Sequence, residues 1–334
     1  MTETRGMAAQ PGGQQPGEPR RRVTSSDVAR AAGVSRTTVS YVLNNVEGRR
    51  IPAETRELVI RTAESLGHIP FAPARSLRLG RSNIVLVLVR DYTLGWVGSE
   101  LLRRLDIALA ERDQVVLLDR YDPELRPTPK LWQLVSPALV VGMSGLSLSE
   151  QSTLELESER FLRLQGTFPN ERIGEMQIEY LNRKGHRRIG YAQDVNRAAN
   201  LIGAERLQGS RHACADLSLP DLEPVIVDPD RLKTVDAALD GWLAKGVSAV
   251  ALPTDEIALL VCARLTARGL VPGVDLAVIG VDDIPAARAD LTTVAIDVEA
   301  WATGVIASVT ALLDDRVPPP IASDIVRLVE RASA

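Results

Sequence analysis

The chain reads as an α/β protein in two parts, an all-helical helix-turn-helix head and a larger, doubly wound parallel-sheet module. Three observations predict this. Residues 23–68 carry helical apolar spacing, punctuated by glycine and by hydroxyl side chains suited to capping. From Asn83 onward, apolar runs of strand length alternate with helical stretches. Charge is also divided. Residues 20–80 hold eleven arginines and no lysine against five acids, a net +6, which leaves −10 on the rest of a chain whose total is −4. A basic head on an acidic body results when only the head meets nucleic acid, although a solvated helical domain can show the same clustering.

The length of 334 residues allows two or three domains. Apolar residues at 45% and charged residues at 25% are those of a soluble globular protein. Aromatics are only 4%, so Val, Leu, Ile and Ala must build the core. Cys214 and Cys262 lack ligand-like spacing and read as reduced, buried thiols. No apolar run reaches the roughly 18 residues a bilayer requires, and the N-terminus lacks a secretory apolar stretch, so a cytoplasmic protein without membrane contact is expected. Residues 1–20, rich in Gly, Pro and Gln, read as a disordered leader.

In the head, Ser25 or Ser26 can cap a helix over Asp27–Ala32 that stops at Gly33. Ser35 can cap a second over Arg36–Leu43, and a third runs from about Pro52 to Leu66. Ile84–Val89 is a continuous apolar run, as in a strand buried on both faces. The alternation continues through helix 98–111 and strands 115–118 and 138–141. Next come helix 173–184, strand 188–191, helix 198–215, strand 224–227 and helix 232–244. Strand 248–252, helix 256–268, strand 276–281, helix 298–313 and a strand near 325–328 complete it. Residues 120–170 show no clear pattern.

The stretch from Val23 to Asn44 is the most informative. Val28, Ala29, Ala32, Val34, Val39, Val42 and Leu43 fall where two short crossing helices bury a small core. Arg36, Thr37, Ser40 and Tyr41 then point outward from the second helix, where they can meet base edges in a major groove. Thr24, Ser35 and Thr38 are short hydroxyl side chains suited to phosphate contacts that fix register. One such helix is too small to specify a long site, so a homodimer on near-palindromic double-stranded DNA is expected.

The segment VTSSDVARAAGVSRTTVSYVLNN resembles the DNA-binding head of the LacI–GalR (lactose/galactose repressor) family. The likeness continues through Ile51–Gly67 and into ARSLRLGRS at 74–82, which resembles the family's hinge. The resemblance implies a head at 21–69, a hinge at 70–82 and an effector-binding module at 83–334. It puts Arg36, Thr37 and Tyr41 at base-reading positions, with Asn44 and Arg75 completing the DNA-contacting set. Leu77 takes the place of a leucine that wedges into the minor groove, while packing against the larger module is its ordinary alternative. Tyr41 stands where many members carry arginine.

A weaker resemblance covers 83 to about 330 through KGHRRIGY, RLQG, VIGVDDIP and DLTTV. It implies a two-lobed, periplasmic-binding-protein-like fold crossed three times by the chain, with a small-molecule effector such as a sugar in the cleft. Asp91, Arg206, Thr254 and Asp282 take the pocket positions. A carboxylate and a guanidinium can grip a polar ligand through charge-assisted hydrogen bonds, and the same two residues can equally form a structural ion pair. Pro253-Thr254 and Ser210 depart from the family pattern, which leaves a ligand-independent regulator with a degenerate cleft as the alternative. Trp96 can stack on a ligand or pack in the core.

Enzymatic chemistry finds no support. His68, His186 and His212 lack nucleophilic or metal partners in sequence, and no phosphate-binding loop or nucleophile elbow is present. No cofactor is expected. The reading is a DNA-binding transcription regulator, a repressor by resemblance.

Overall fold

The computed structural model describes residues 23–43, 51–68, 82–90, 94–121, 131–144, 146–158, 160–164, 166–195 and 197–334. The expectations for the leader, for Asn44, for Arg75 and Leu77 of the hinge, and for Asp91 lie outside these residues. The chain divides into two compact units, Met1–Leu77 and Arg78–Ala334.

The first unit holds α1 (Ser25–Ala32), α2 (Arg36–Leu43) and α3 (Ala53–Ser65). Thr24, rather than Ser25 or Ser26, caps α1. The reason lies three residues on, where Asp27 accepts the Thr24 backbone N–H at 2.9 Å while Asp27 N donates to the Thr24 hydroxyl at 3.4 Å. Gly33 ends α1 with φ 67°, a left-handed turn that glycine adopts without strain. Ser35 accepts from Thr38 N at 3.0 Å and so caps α2, as expected. Val28, Ala29, Ala32, Val39 and Val42 are buried with Val59 and Ala63 of α3, and Val34 and Leu43 pack half-buried at the margin.

The second unit holds two sheets. The first is parallel, in the order β2 (Val115–Tyr121), β1 (Ile84–Arg90), β3 (Leu139–Ser144), β4 (Phe161–Arg163). Helices α4 (Trp96–Ala110), α5 (Leu131–Val135) and α6 (Leu148–Glu157) connect its strands. Val85 to Val89 are all buried, so β1 is covered on both faces, as its unbroken apolar run requires.

The second sheet begins after α7 (Asn170–Arg183) and runs β10 (Val326–Val329), β9 (Thr292–Ile296), β8 (Ala277–Asp282), β7 (Ala249–Ala251), β5 (Ile189–Asp194), β6 (Pro224–Val227). It is parallel except for the β9–β10 pair. Helices α8 (Arg197–Asp216), α9 (Leu232–Ala244) and α10 (Asp255–Ala267) join these strands, and α11 (Val298–Leu313) follows β9. Because α11 packs on α4 and β3 while β10 returns to β9, the chain passes between the lobes three times.

Four elements depart from the sequence reading. β9 was not expected as a strand, yet all five of its residues are buried. In the unpatterned stretch, α5, α6 and β4 form, α6 despite an exposed Leu148 and Leu156.

Candidate nucleic-acid interface and ligand cleft

In the head, the core side of α2 is spent on Val39 and Val42. Arg36 and Thr37 are exposed, and Thr38, Ser40 and Tyr41 are half-buried beside them. The hydroxyl residues expected at phosphate are partly committed to caps. Thr24 donates its hydroxyl to Asp27 at 2.7 Å, and the Ser35 and Thr38 hydroxyls lie 2.8 Å apart. Those bonds fix the first turns of α1 and α2, and the outward side chains of α2 follow from its capped start.

In the second unit, a cleft of about 490 Å³ lies at the carboxyl ends of strands from both sheets. Met143 comes from β3, Asp194 from β5, Asp228 follows β6, Pro253 and Thr254 follow β7, and Asp282 ends β8. Open parallel sheets place ligands at this edge, where helix N-termini and loops converge.

Three of the expected effector residues meet there. Arg206, on α8, is buried and held by neutral acceptors. Its Nε donates to Asn170 Oδ1 at 3.2 Å and its Nη1 to the Pro253 carbonyl at 2.6 Å. Thr254 caps α10 by accepting from Ile257 N at 3.3 Å. Asp282 is 6% exposed, and among the described residues its carboxylate takes no hydrogen bond. Burial pushes its carboxyl well above the usual range; the Arg206 charge opposes that, and Asp255 and Glu256 reinforce it.

The backbone at this point is unusual. Asp282 has φ 112° and Asp283 φ 57°, two consecutive residues in the region L side chains avoid. Asp283 is held by Arg331 at 2.6 Å, and Arg331 also donates to the Leu291 carbonyl at 2.7 Å. The C-terminal segment thus braces the loop that carries Asp282. Behind it, Asp255 accepts from Ile284 N at 3.0 Å and from the Thr293 hydroxyl at 2.7 Å, and burial raises its carboxyl to about 7. A Cβ at Gly280 would sit 2.2 Å from that carboxylate, which explains a glycine inside β8.

The apolar walls include Trp96, Phe168 and Trp301. Phe168 and Trp301 meet edge to face with centroids 4.9 Å apart, and the buried Trp301 indole N–H has no partner. Trp96 both lines the cleft and packs against the core, so its two sequence readings coexist. Ser210 is not in the lining. It is fully buried and donates to the Arg206 carbonyl at 2.9 Å, in a helix crossing too tight for an aromatic ring. Sequence reasoning missed Asn170, Asp255, Phe168 and Trp301. Only Asp255 carried a local signal, the Thr-Asp pair after an apolar strand.

The model of bacterial regulatory proteins, lacI family, matches residues 24–70, which span the capped α1–α2 pair and α3. A periplasmic binding protein-like domain matches 178–334. The chain thus carries a lacI-family head followed by a periplasmic binding protein-like domain. It is 29% identical over 293 residues to the HTH-type transcriptional regulator GalS of Salmonella typhimurium, covering 81% of the chain and 84% of GalS. It is 28% identical over 283 residues to the HTH-type transcriptional repressor PurR of Vibrio cholerae, covering 79% and 83%. Its fold matches a lac repressor dimer bound to operator and the anti-inducer ONPF, with TM-score 0.76 at 21% identity, over 94% of this chain and 99% of the other. A CelR–cellobiose complex matches with TM-score 0.62 at 22% identity, over 94% and 100%. The chain is a DNA-binding transcription regulator, and its named relatives are transcriptional regulators rather than enzymes. No described helix is long and apolar enough to cross a membrane.

Proposed function

We propose that this regulator is a cytoplasmic repressor that binds a near-palindromic operator as a homodimer and adjusts its grip on DNA when a small polar ligand occupies the cleft. The observation that carries this is the cleft itself. It is open rather than filled by side chains, and it presents an oriented guanidinium, Arg206 of α8, and, at the end of β8, the Asp282 carboxylate, which takes no hydrogen bond among the described residues. Relatives named as repressors, and structures described with operator and small molecules, support the assignment.

On this reading Arg36, Thr37 and Tyr41 read bases, with Ser40 beside them on the same outward side of α2. Thr24, Ser35, Thr38, Asn44 and Arg75 position the head on phosphate, and Leu77 wedges into the minor groove. Arg206, Thr254 and Asp282, with Asp91, hold the effector. A ligand alters DNA affinity only through its different affinities for two lobe arrangements, and coupling of about 1–3 kcal/mol is typical.

The test is fluorescence anisotropy on an operator selected from random duplexes, with a metabolite library as titrant. Arg206→Ala and Asp282→Ala should each abolish the ligand response and keep ligand-free operator affinity. A ligand response that survives both substitutions contradicts the proposal.

A further inference from the structure

The charge of the cleft says more about its ligand than the fold does. Among the described lining residues, six are carboxylates: Asp194, Glu205, Asp228, Asp230, Glu256 and Asp282. One, Arg206, is a cation. Some of that charge is already answered. Asp194 is already engaged, Glu205 accepts from Asn170 Nδ2 at 2.7 Å, and Asp228 lies 3.3 Å from Arg231. Among the described residues, Arg206 spends its hydrogen bonds on Asn170 Oδ1 and the Pro253 carbonyl, not on a carboxylate.

That leaves Asp282 buried without a hydrogen bond, and Asp230 and Glu256 exposed at the rim. Asp282 feels the Arg206 charge but takes no hydrogen bond among the described residues, and a buried carboxylate without a donor is unfavourable. The same cleft has aromatic walls, with Trp96, Phe168 and Trp301 all in the lining. Aromatic faces attract cations through their ring quadrupole. Among the described residues no group of three or more His, Cys, Asp or Glu is placed to hold a metal ion.

We infer that the effector is a small organic ammonium ion, its charged nitrogen set against Asp282 and the Glu256 rim and its body against the aromatic wall. This rests on the proposed effector role of the cleft and specifies the ligand class. A neutral polyol would leave Asp282, Asp230 and Glu256 faced by Arg206 alone among the described lining residues. An anionic ligand would be repelled by it, whatever Arg206 offered.

Matched probes test the class. The full chain is titrated calorimetrically with glucosamine against glucose, galactosamine against galactose, and tetramethylammonium followed by tryptophan fluorescence. At least one ammonium probe should bind about tenfold or more tightly than its neutral counterpart, or quench the fluorescence saturably, and should weaken as salt is raised. Glu256→Gln, at an exposed position that spares the fold, and Asp282→Asn should each weaken that binding. If a neutral sugar binds as tightly as its amino counterpart, the ammonium assignment is overturned while the effector role stands. It is equally overturned if no ammonium probe binds at millimolar concentration, or if neither substitution changes binding. Neither result touches the effector role, which the metabolite titration on operator decides separately.

Discussion

The crossing of α7 and α8 ties helix packing to the cleft, and Gly174→Ala probes it. A Cβ at Gly174 would lie 2.0 Å from the Arg206 carbonyl oxygen, and one at Gly209 would lie 2.0 Å from the Glu171 carbonyl oxygen. Carbon and oxygen in a close helix contact need about 3.3 Å, so a methyl at 174 forces the backbones about 1.3 Å apart. Arg206 reaches the Pro253 carbonyl at 2.6 Å from that same stretch of α8. A displacement of this size takes the bond beyond useful hydrogen-bond length. Overpacking of this kind costs about 1–3 kcal/mol, and the better helix propensity of alanine returns about 1 kcal/mol. The net loss is up to about 2 kcal/mol, at about 2–4 °C in Tm per kcal/mol for a unit of this size. Gly241→Ala in α9 is the control, because its Cβ would meet nothing within 4 Å and should stabilise the fold slightly. Differential scanning calorimetry reads stability, and anisotropy on operator reads the ligand response. Gly174→Ala should lower both and spare ligand-free DNA binding. If it matches Gly241→Ala in Tm and keeps its full ligand response, the crossing does not hold Arg206 in place.

Three further outcomes follow from individual contacts. Asp255 titrates near 7 in the folded protein and near about 3.9 unfolded, so between those values the folded chain keeps a proton the unfolded chain has lost. Its contribution to stability is therefore full below about pH 4 and falls by about 1.4 kcal/mol per pH unit, about 4 kcal/mol in all, as pH rises to about 7. Asp255→Asn should remove that slope in urea unfolding series, and parallel pH curves for the two proteins would contradict it. Arg331→Ala leaves Asp283 only its 3.6 Å contact with Arg288, so the loop bearing Asp282 should relax and ligand affinity fall about tenfold by calorimetry while ligand-free DNA binding holds. Ser35→Ala removes the α2 cap, which costs the head about 1 kcal/mol and weakens specific and scrambled duplexes about equally in anisotropy titrations.

Much of this architecture is legible in the sequence where local chemistry and tertiary fate coincide. Helices Leu232–Ala244 and Val298–Leu313 and strand Pro224–Val227 form over the residues their periodicity marks. The head is legible because capping, the Gly33 turn and the apolar spacing are all short-range. β9 escapes that reading because it opens on two threonines. Thr293 bonds Asp255 and Thr292 bonds the Arg331 backbone, partners far away in sequence. α6 escapes because Leu148 and Leu156 face outward and leave no clean apolar stripe. In the cleft, the strand-end rule and the family resemblance locate Arg206, Thr254 and Asp282. Trp301 and Phe168 arrive from another lobe segment and from a connection, and only the folded chain brings them together. The bracing of Asp282 by Arg331 depends on a C-terminal segment whose docking has no short-range signature.

The most direct test of the account is selection of duplex DNA from a random pool by the full-length protein and by Tyr41→Ala. A regulator that reads bases with α2 should enrich a near-palindromic site with two half-sites about one helical turn apart. Tyr41→Ala should relax preference at one symmetric pair of positions by roughly 1–3 kcal/mol and leave the rest of the site unchanged. A pool that shows no enriched sequence, or an enriched site identical for the two proteins at every position, would contradict it.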